Sequence, residues 1–214
     1  IHDAVKRLDA ALAVDGGAAR FGMDDGYACA RPAVLWPAVA RFKSDMQELK
    51  MELVASKSFA YSPSGDTATG RPNDIPLGGI CDDGSDPTIA KRPDAGRRGI
   101  LIYNVPVGQP EYVSMSLRRK ADQLKSKFNL IRTRLVTVHR QSLWLIVKES
   151  LAHQFDYWLQ LCYPEDVKPF AKELDLYIRE RMLEALDLEI EDAITFQRIE
   201  VPVKYHGMGL RSLV

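Results

Sequence analysis

Two adjacent carboxylates, Asp24 and Asp25, stand in the run Phe21-Gly22-Met23-Asp24-Asp25-Gly26-Tyr27. Apolar stretches flank them at 18–23 and 27–30, and an Asp-Gly step between two such stretches is a hairpin signal. Alternation along a strand sends neighbouring side chains to opposite faces unless the turn twists them together. Crowded negative charge is costly without a cation, and hard oxygen donors suit magnesium, which keeps several waters and takes one or two protein carboxylates. The spacing therefore predicts either a Mg²⁺-binding pair or a hairpin turn in which Asp and Gly satisfy turn geometry.

The other reactive side chains form no such constellation. His2, His139, His153 and His206 are scattered, with no cysteine or carboxylate at ligand spacing. The three cysteines, Cys29, Cys81 and Cys162, lie far apart and include no Cys-x-x-Cys pair. That argues against zinc and against a disulfide framework, and fits a reducing, intracellular setting. The acidic run at 82–86 resembles a calcium loop only superficially, because Pro87 and Pro93 occupy the positions that an EF-hand loop needs as Gly and Glu. Trp144, Phe155, Tyr157 and Trp158 could stack on bases, but their helical spacing suits a core.

The elements that must position the acidic pair follow from periodicity. A helix is predicted over 4–13, with Val5, Leu8 and Leu12 on one face and Gly16-Gly17 ending it. A second is predicted over 33–50, opened by Pro32, and residues 52–61 read as a turn into a strand. Segment 62–98 is rich in Gly, Pro, Ser and Asp, with few residues to build a core, and reads as a flexible insertion. The run 99–107 (GILIYNVPV) is β-like and is closed by Gly108 and Pro110. Helical patterns follow over 111–135, 138–162 and 165–190. The fold class is thus α+β: a mixed helix-and-strand stretch over 1–61 carrying the Asp-Asp hairpin, strands at 99–110, and an antiparallel helical array over 111–214.

Composition narrows the function classes. The 214 residues hold 29 basic and 29 acidic side chains, and 46% are apolar, enough for a core. No apolar run approaches the ~20 residues of a membrane span, so no membrane partner is expected. The chain opens on Ile1, as a piece of something larger would. Charge is segregated, with eight basic residues against one acid over 118–140 and eleven acids against five bases over 165–200. The basic stretch could track a phosphate backbone, or be a solvated face, or be paired with the acidic helix.

The order of these motifs resembles the later palm and the thumb of retroelement reverse transcriptases (RNA-directed DNA polymerases). Asp24 and Asp25 match the x-x-Asp-Asp hairpin that carries metal-binding carboxylates in that family. ELKMELVASKSFAYS is similar to the segment in which the family places a lysine, and Lys57 matches it. GILIYNVPVGQPEYV resembles the primer-grip strand pair, with Tyr103-Asn104 in the place of Leu-Gly and with Pro106 and Gly108 in agreement. VPVKYHGMGLRSL resembles a Leu-Pro…Gly-Gly-Leu-Gly-Leu element common downstream, with His206 where glycine is usual.

The resemblance implies a nucleotidyltransferase of a retrotransposon-type element, with 1–61 as a partial palm, 99–110 as primer-grip-like strands and 111–214 as a helical thumb-like region. Two Mg²⁺ ions would serve nucleotidyl transfer from deoxynucleoside triphosphates onto a DNA primer on an RNA template. Asp24 and Asp25 would hold metal, and Lys57 would neutralise or protonate the leaving pyrophosphate. Tyr103, Asn104 and Gly108 would lie at the primer backbone, and Arg118, Arg119, Lys120, Lys125 and Lys127 along the duplex. The family's third metal-binding aspartate and its fingers would lie upstream of Ile1, so the chain alone is expected to be inactive. The alternative is a non-enzymatic helical interaction module or a decayed retroelement remnant.

Overall fold

The computed structural model describes residues 1–22, 25–64, 70–187, 200–205, 208–210, 212 and 213. They mix helices with two small antiparallel sheets, as the α+β reading expects at that level of detail. The chain divides into two compact units, Ile1–Tyr112 and Val113–Val214.

In the first unit, α1 (His2–Ala13) buries Ala4, Leu8 and Leu12 in one cluster with Ala38, Phe42 and Met46 of α2 (Pro32–Glu48) and with Ala19. These are the three-to-four-residue spacings that put one apolar stripe on each helix. Pro32 opens α2, and the helix runs through Pro37. There the proline forfeits only a bond to the Ala33 carbonyl, close to the helix start. Strands β1 (Ala18–Gly22) and β2 (Asp25–Cys29) pair antiparallel, with Gly22 opposite Asp25 and Ala18 opposite Cys29. Asp25 is therefore the first residue of a strand and not, as the Asp-Gly signal predicts, part of the turn. Asp24 lies outside the described residues.

Strands β3 (Gly99–Ile102) and β4 (Val105–Gly108) form the second hairpin. The two residues linking them, Tyr103 and Asn104, both have left-handed backbones, φ 48° and 63°. That pairing of positive φ values matches the right-handed twist of the flanking strands in a two-residue hairpin.

The segment 62–98 differs from its expected character. Leu77, Ile80 and Cys81 are buried. The stretch around them is held by bridges between Ala60 and Leu77 and between Gly79 and Arg98. Backbone bonds from Gly78 to the Ala60 carbonyl (2.8 Å) and from Gly99 to the Gly78 carbonyl (3.2 Å) make it an extended rung. Composition hid this because a short rung needs few apolar residues when each is fully used. The acidic cluster meets cations of its own unit. Asp82 takes Arg97 (2.8 Å), and Asp83 takes Lys91, whose hydrogen bond, with those from Ser85, holds that carboxyl far below the usual range. The strand expected to end at Tyr61 is a 3₁₀ turn, Ala55–Lys57, followed by the single bridge at Ala60.

The second unit contains most of α3 (Pro110–Leu135), then α4 (Arg140–Ile146), α5 (Asp156–Leu161) and α6 (Pro164–Ala185). The single helix expected over 138–162 is broken by a π turn, Val147–Leu151, and a 3₁₀ turn, Ala152–Phe155. The reason lies in the spacing. Leu143, Val147, Leu151 and Phe155 recur every fourth residue, and on an ideal helix each step of four drifts about 40° around the axis. A wider π turn absorbs the drift, and all four side chains stay buried.

Pairings give the directions of the helices. Lys120 sits over Trp158, and Lys127 bonds Gln154, so α3 and the 140–161 segment run antiparallel. Lys125 meets Glu173 and Arg132 meets Glu184, so α3 and α6 run parallel. The result is an up-down-up array around Leu117, Phe128, Phe155, Leu174 and Met182. α6 ends earlier than residue 190, with Asp187 at φ 54° just beyond it.

Candidate functional site

The register of the first hairpin sorts its side chains into two faces. Ala19, Phe21, Gly26 and Ala28 share one face, and Phe21 lies 5.5 Å from Phe42 of α2. Arg20, Gly22, Asp25 and Tyr27 share the other. The turn of the second hairpin docks on that second face. The Tyr103 and Tyr27 rings lie 4.7 Å apart, and the Tyr103 N–H donates to Tyr27 Oη at 3.0 Å. A Cβ on Gly22 would fall 2.7 Å from Tyr103 Cε1, so the glycine makes room for the ring. A left-handed tyrosine is uncommon and costs energy, and these contacts hold it there. Two of the expected site segments, the one with Asp25 and the one with Tyr103 and Asn104, are thus brought onto one face.

Asn104 is exposed at the tip. Gly108 lies opposite Gly99, and a Cβ on it would approach the Arg98 carbonyl and Gly99 Cα at 2.5 Å. Its smallness is thereby explained by strand packing. Lys57 ends the Ala55–Lys57 turn with an exposed side chain, and no hydrogen bond or ion pair reaches its ammonium among the described residues. Tyr27 is a site residue that sequence reasoning missed. Its position two residues after Asp25 on a strand was the available signal, since alternation returns it to the same face.

The second unit holds the basic residues, and there the third option read from the sequence, pairing with acids, is realised at several positions. Lys125 Nζ lies 2.5 Å and Arg118 Nη2 3.5 Å from the Glu173 carboxylate. The Lys125 hydrogen bond, against a small burial penalty, holds Glu173 below the usual glutamate range. Glu184 is held low chiefly by Arg181, and then by Arg132. Arg118 also sits over Phe170 (5.2 Å) and Lys120 over Trp158 (5.7 Å). Arg119 is exposed on the same helix. Trp158 and Phe155 are buried, 6.0 Å apart, which makes them core rather than a stacking platform. Burial raises the Cys162 thiol, the opposite of what a thiolate nucleophile needs.

Asp25 supplies the right donor for magnesium. It is an exposed hard oxygen ligand without a cation partner among the described residues. Those residues contain no cluster of three or more metal-binding side chains, and no helix among them is long and apolar enough to cross a membrane. Comparison with protein-family models, curated proteins and solved structures finds no match.

Proposed function

We propose that the chain is the later palm and thumb of a retrotransposon-type reverse transcriptase, inactive on its own. The observation that carries this reading is the docking of the Tyr103-Asn104 turn on the sheet face that bears Asp25. A polymerase must hold the primer end beside its metal-binding carboxylates, and two hairpins sharing a face achieve that with little freedom to misplace either. Asp24 and Asp25 would hold Mg²⁺. Bound there, the metal would supply Lewis-acid stabilisation of charge on the transferring phosphoryl group.

The chain's own residues do the rest. The Tyr103-Asn104 turn supports the primer backbone, and Gly108 lets the strand behind it pack closely. Lys57 carries a proton toward the leaving pyrophosphate. Arg119, with Arg118, Lys120, Lys125 and Lys127, grips the RNA–DNA backbone without reading bases. Arg118 and Lys125 do so by exchanging Glu173 for phosphate.

The test is a titration of the chain with a labelled RNA–DNA primer-template at two salt concentrations, with and without Mg²⁺. The expected result is affinity that falls steeply with salt, by a log–log slope near −0.9 per phosphate neutralised. It should also depend on Mg²⁺ in a way that Asp25→Asn removes. Binding that is absent, or that salt leaves unchanged, overturns the reading.

A second reading, a helical protein-interaction module, is favoured by one observation. Arg118, Lys125, Arg132 and Arg140 are already matched with Glu173, Glu184 and Asp187 of their own unit. On that reading the chain binds no duplex at any salt concentration.

A further inference from the structure

Pro76 and Leu77, at the start of the extended rung, line a cavity of about 220 Å³ in the first unit. Two arginines, Arg71 and Arg92, line it together with Asn73, Thr88, Leu77 and Ile89. Arg71 is anchored by donation from Nη1 to the Ile75 carbonyl, while its Nε is buried without a hydrogen-bond partner. Arg92 is exposed and has no carboxylate partner among the described residues. Three acids of the same segment are engaged elsewhere, Asp74 by Lys43, Asp82 by Arg97 and Asp83 by Lys91. Thr88 Oγ1 accepts the Lys91 N–H at 3.1 Å, which leaves its hydroxyl proton to donate elsewhere.

Two arginines lining one concave surface give it a positive potential that favours an anion, and a buried N–H without an acceptor is rare in folded proteins. Guanidinium forks match phosphate oxygens in pairs, and Leu77 and Ile89 offer an apolar wall for the group that carries the phosphate. We propose that this cavity binds a phosphate group, and that the concave form favours a small phosphomonoester with an apolar or planar body. The site does not rest on the polymerase reading.

Calorimetric titration of the chain with phenyl phosphate, and separately with a single-stranded oligonucleotide whose phosphates are all diesters, tests it. Saturable binding of phenyl phosphate is expected, weakened about tenfold by Arg92→Gln and largely kept by Arg92→Lys, as the loss of one charge-assisted contact predicts. Arg71→Gln should weaken it further, but that side chain also anchors Ile75, so the exposed Arg92 carries the decision. Binding of the oligonucleotide alone, with the same dependence on Arg92, supports the phosphate site and assigns the phosphate to a nucleic-acid strand. The proposal is overturned if neither probe binds, or if Arg92→Gln binds as tightly as the unchanged chain.

Discussion

The two units of this chain both pair charges internally, the hairpin unit through Arg7–Asp45, Arg20–Asp9 and Arg97–Glu111 among others, but they differ in which charges are left over. In the helical unit, basic and acidic side chains meet: Lys125 and Arg118 on Glu173, Arg132 on Glu184, Arg140 on Asp187. In the hairpin unit several charges remain without a counter-charge among the described residues, notably Asp25 on its sheet face and Arg71 and Arg92 at their cavity. The difference teaches that the density of charge along a sequence is a poor guide to binding. The most basic stretch of the chain is partly self-neutralised, whereas the places best suited to a ligand sit in stretches whose net charge is unremarkable.

The same contrast extends to stability, and substitutions can break or sharpen it. The largest effect belongs to the helical core. Phe128 is fully buried between helices, and Phe128→Ala should cost about 3–5 kcal/mol by urea denaturation. Next comes Asp175, a buried carboxylate on α6. It accepts the Leu213 N–H at 3.0 Å and the Ser212 hydroxyl at 2.5 Å, and pairs with Arg179 at 3.2 Å. Asp175→Ala strands those donors and should cost about 3 kcal/mol. Limited proteolysis should then cut the C-terminal segment, in which Leu210 and Leu213 are otherwise buried.

In the hairpin unit, Tyr27→Phe removes the acceptor of the Tyr103 N–H and should cost about 1 kcal/mol. Its sharper signature is faster hydrogen exchange at the Tyr103 amide. If that amide is unmoved, the two hairpins do not share a face and the candidate site dissolves. Smaller again is the Lys125–Glu173 pair, half exposed on the acid's side; a double-mutant cycle should give about 0.5 kcal/mol.

The pH dependence follows in sign. Glu173 and Glu184 lie below the ordinary glutamate value of 4.5 in the folded chain. Their contribution is present above that value and is lost as pH falls through their lowered folded values. The Tm of the helical unit should therefore drop below about pH 4.5, and Glu173→Gln should flatten that drop.

Much of the local structure was legible in the residues. The apolar stripes of α1, α2, α3 and α6 follow from three-to-four-residue spacing, and Pro32 and Pro164 stand at helix starts. The hairpin around Asp25 was also legible as punctuation between apolar runs, whereas the turn at Tyr103-Asn104 was not, because 99–107 reads as one β-like run and the reversal rests on two left-handed residues inside it. Less legible was the 138–162 segment, where spacing by four looks helical but needs a π turn to stay aligned. The rung at 76–80 was hidden because its burial depends on Ala60 and Gly99, far away in sequence.

What the sequence by itself determined was the set of local choices: which stretches coil, which extend, where Gly, Pro and Asn allow a reversal. These rest on φ/ψ preferences and on periodicity, which act over a few residues. Only the tertiary structure decided which face of β2 carries Asp25, that Tyr103 lies over Gly22, that Glu173 receives Lys125, and that Arg71 and Arg92 share a cavity. Those are pairings between residues distant in the chain. Packing many side chains at once selects them, and no local pattern encodes them.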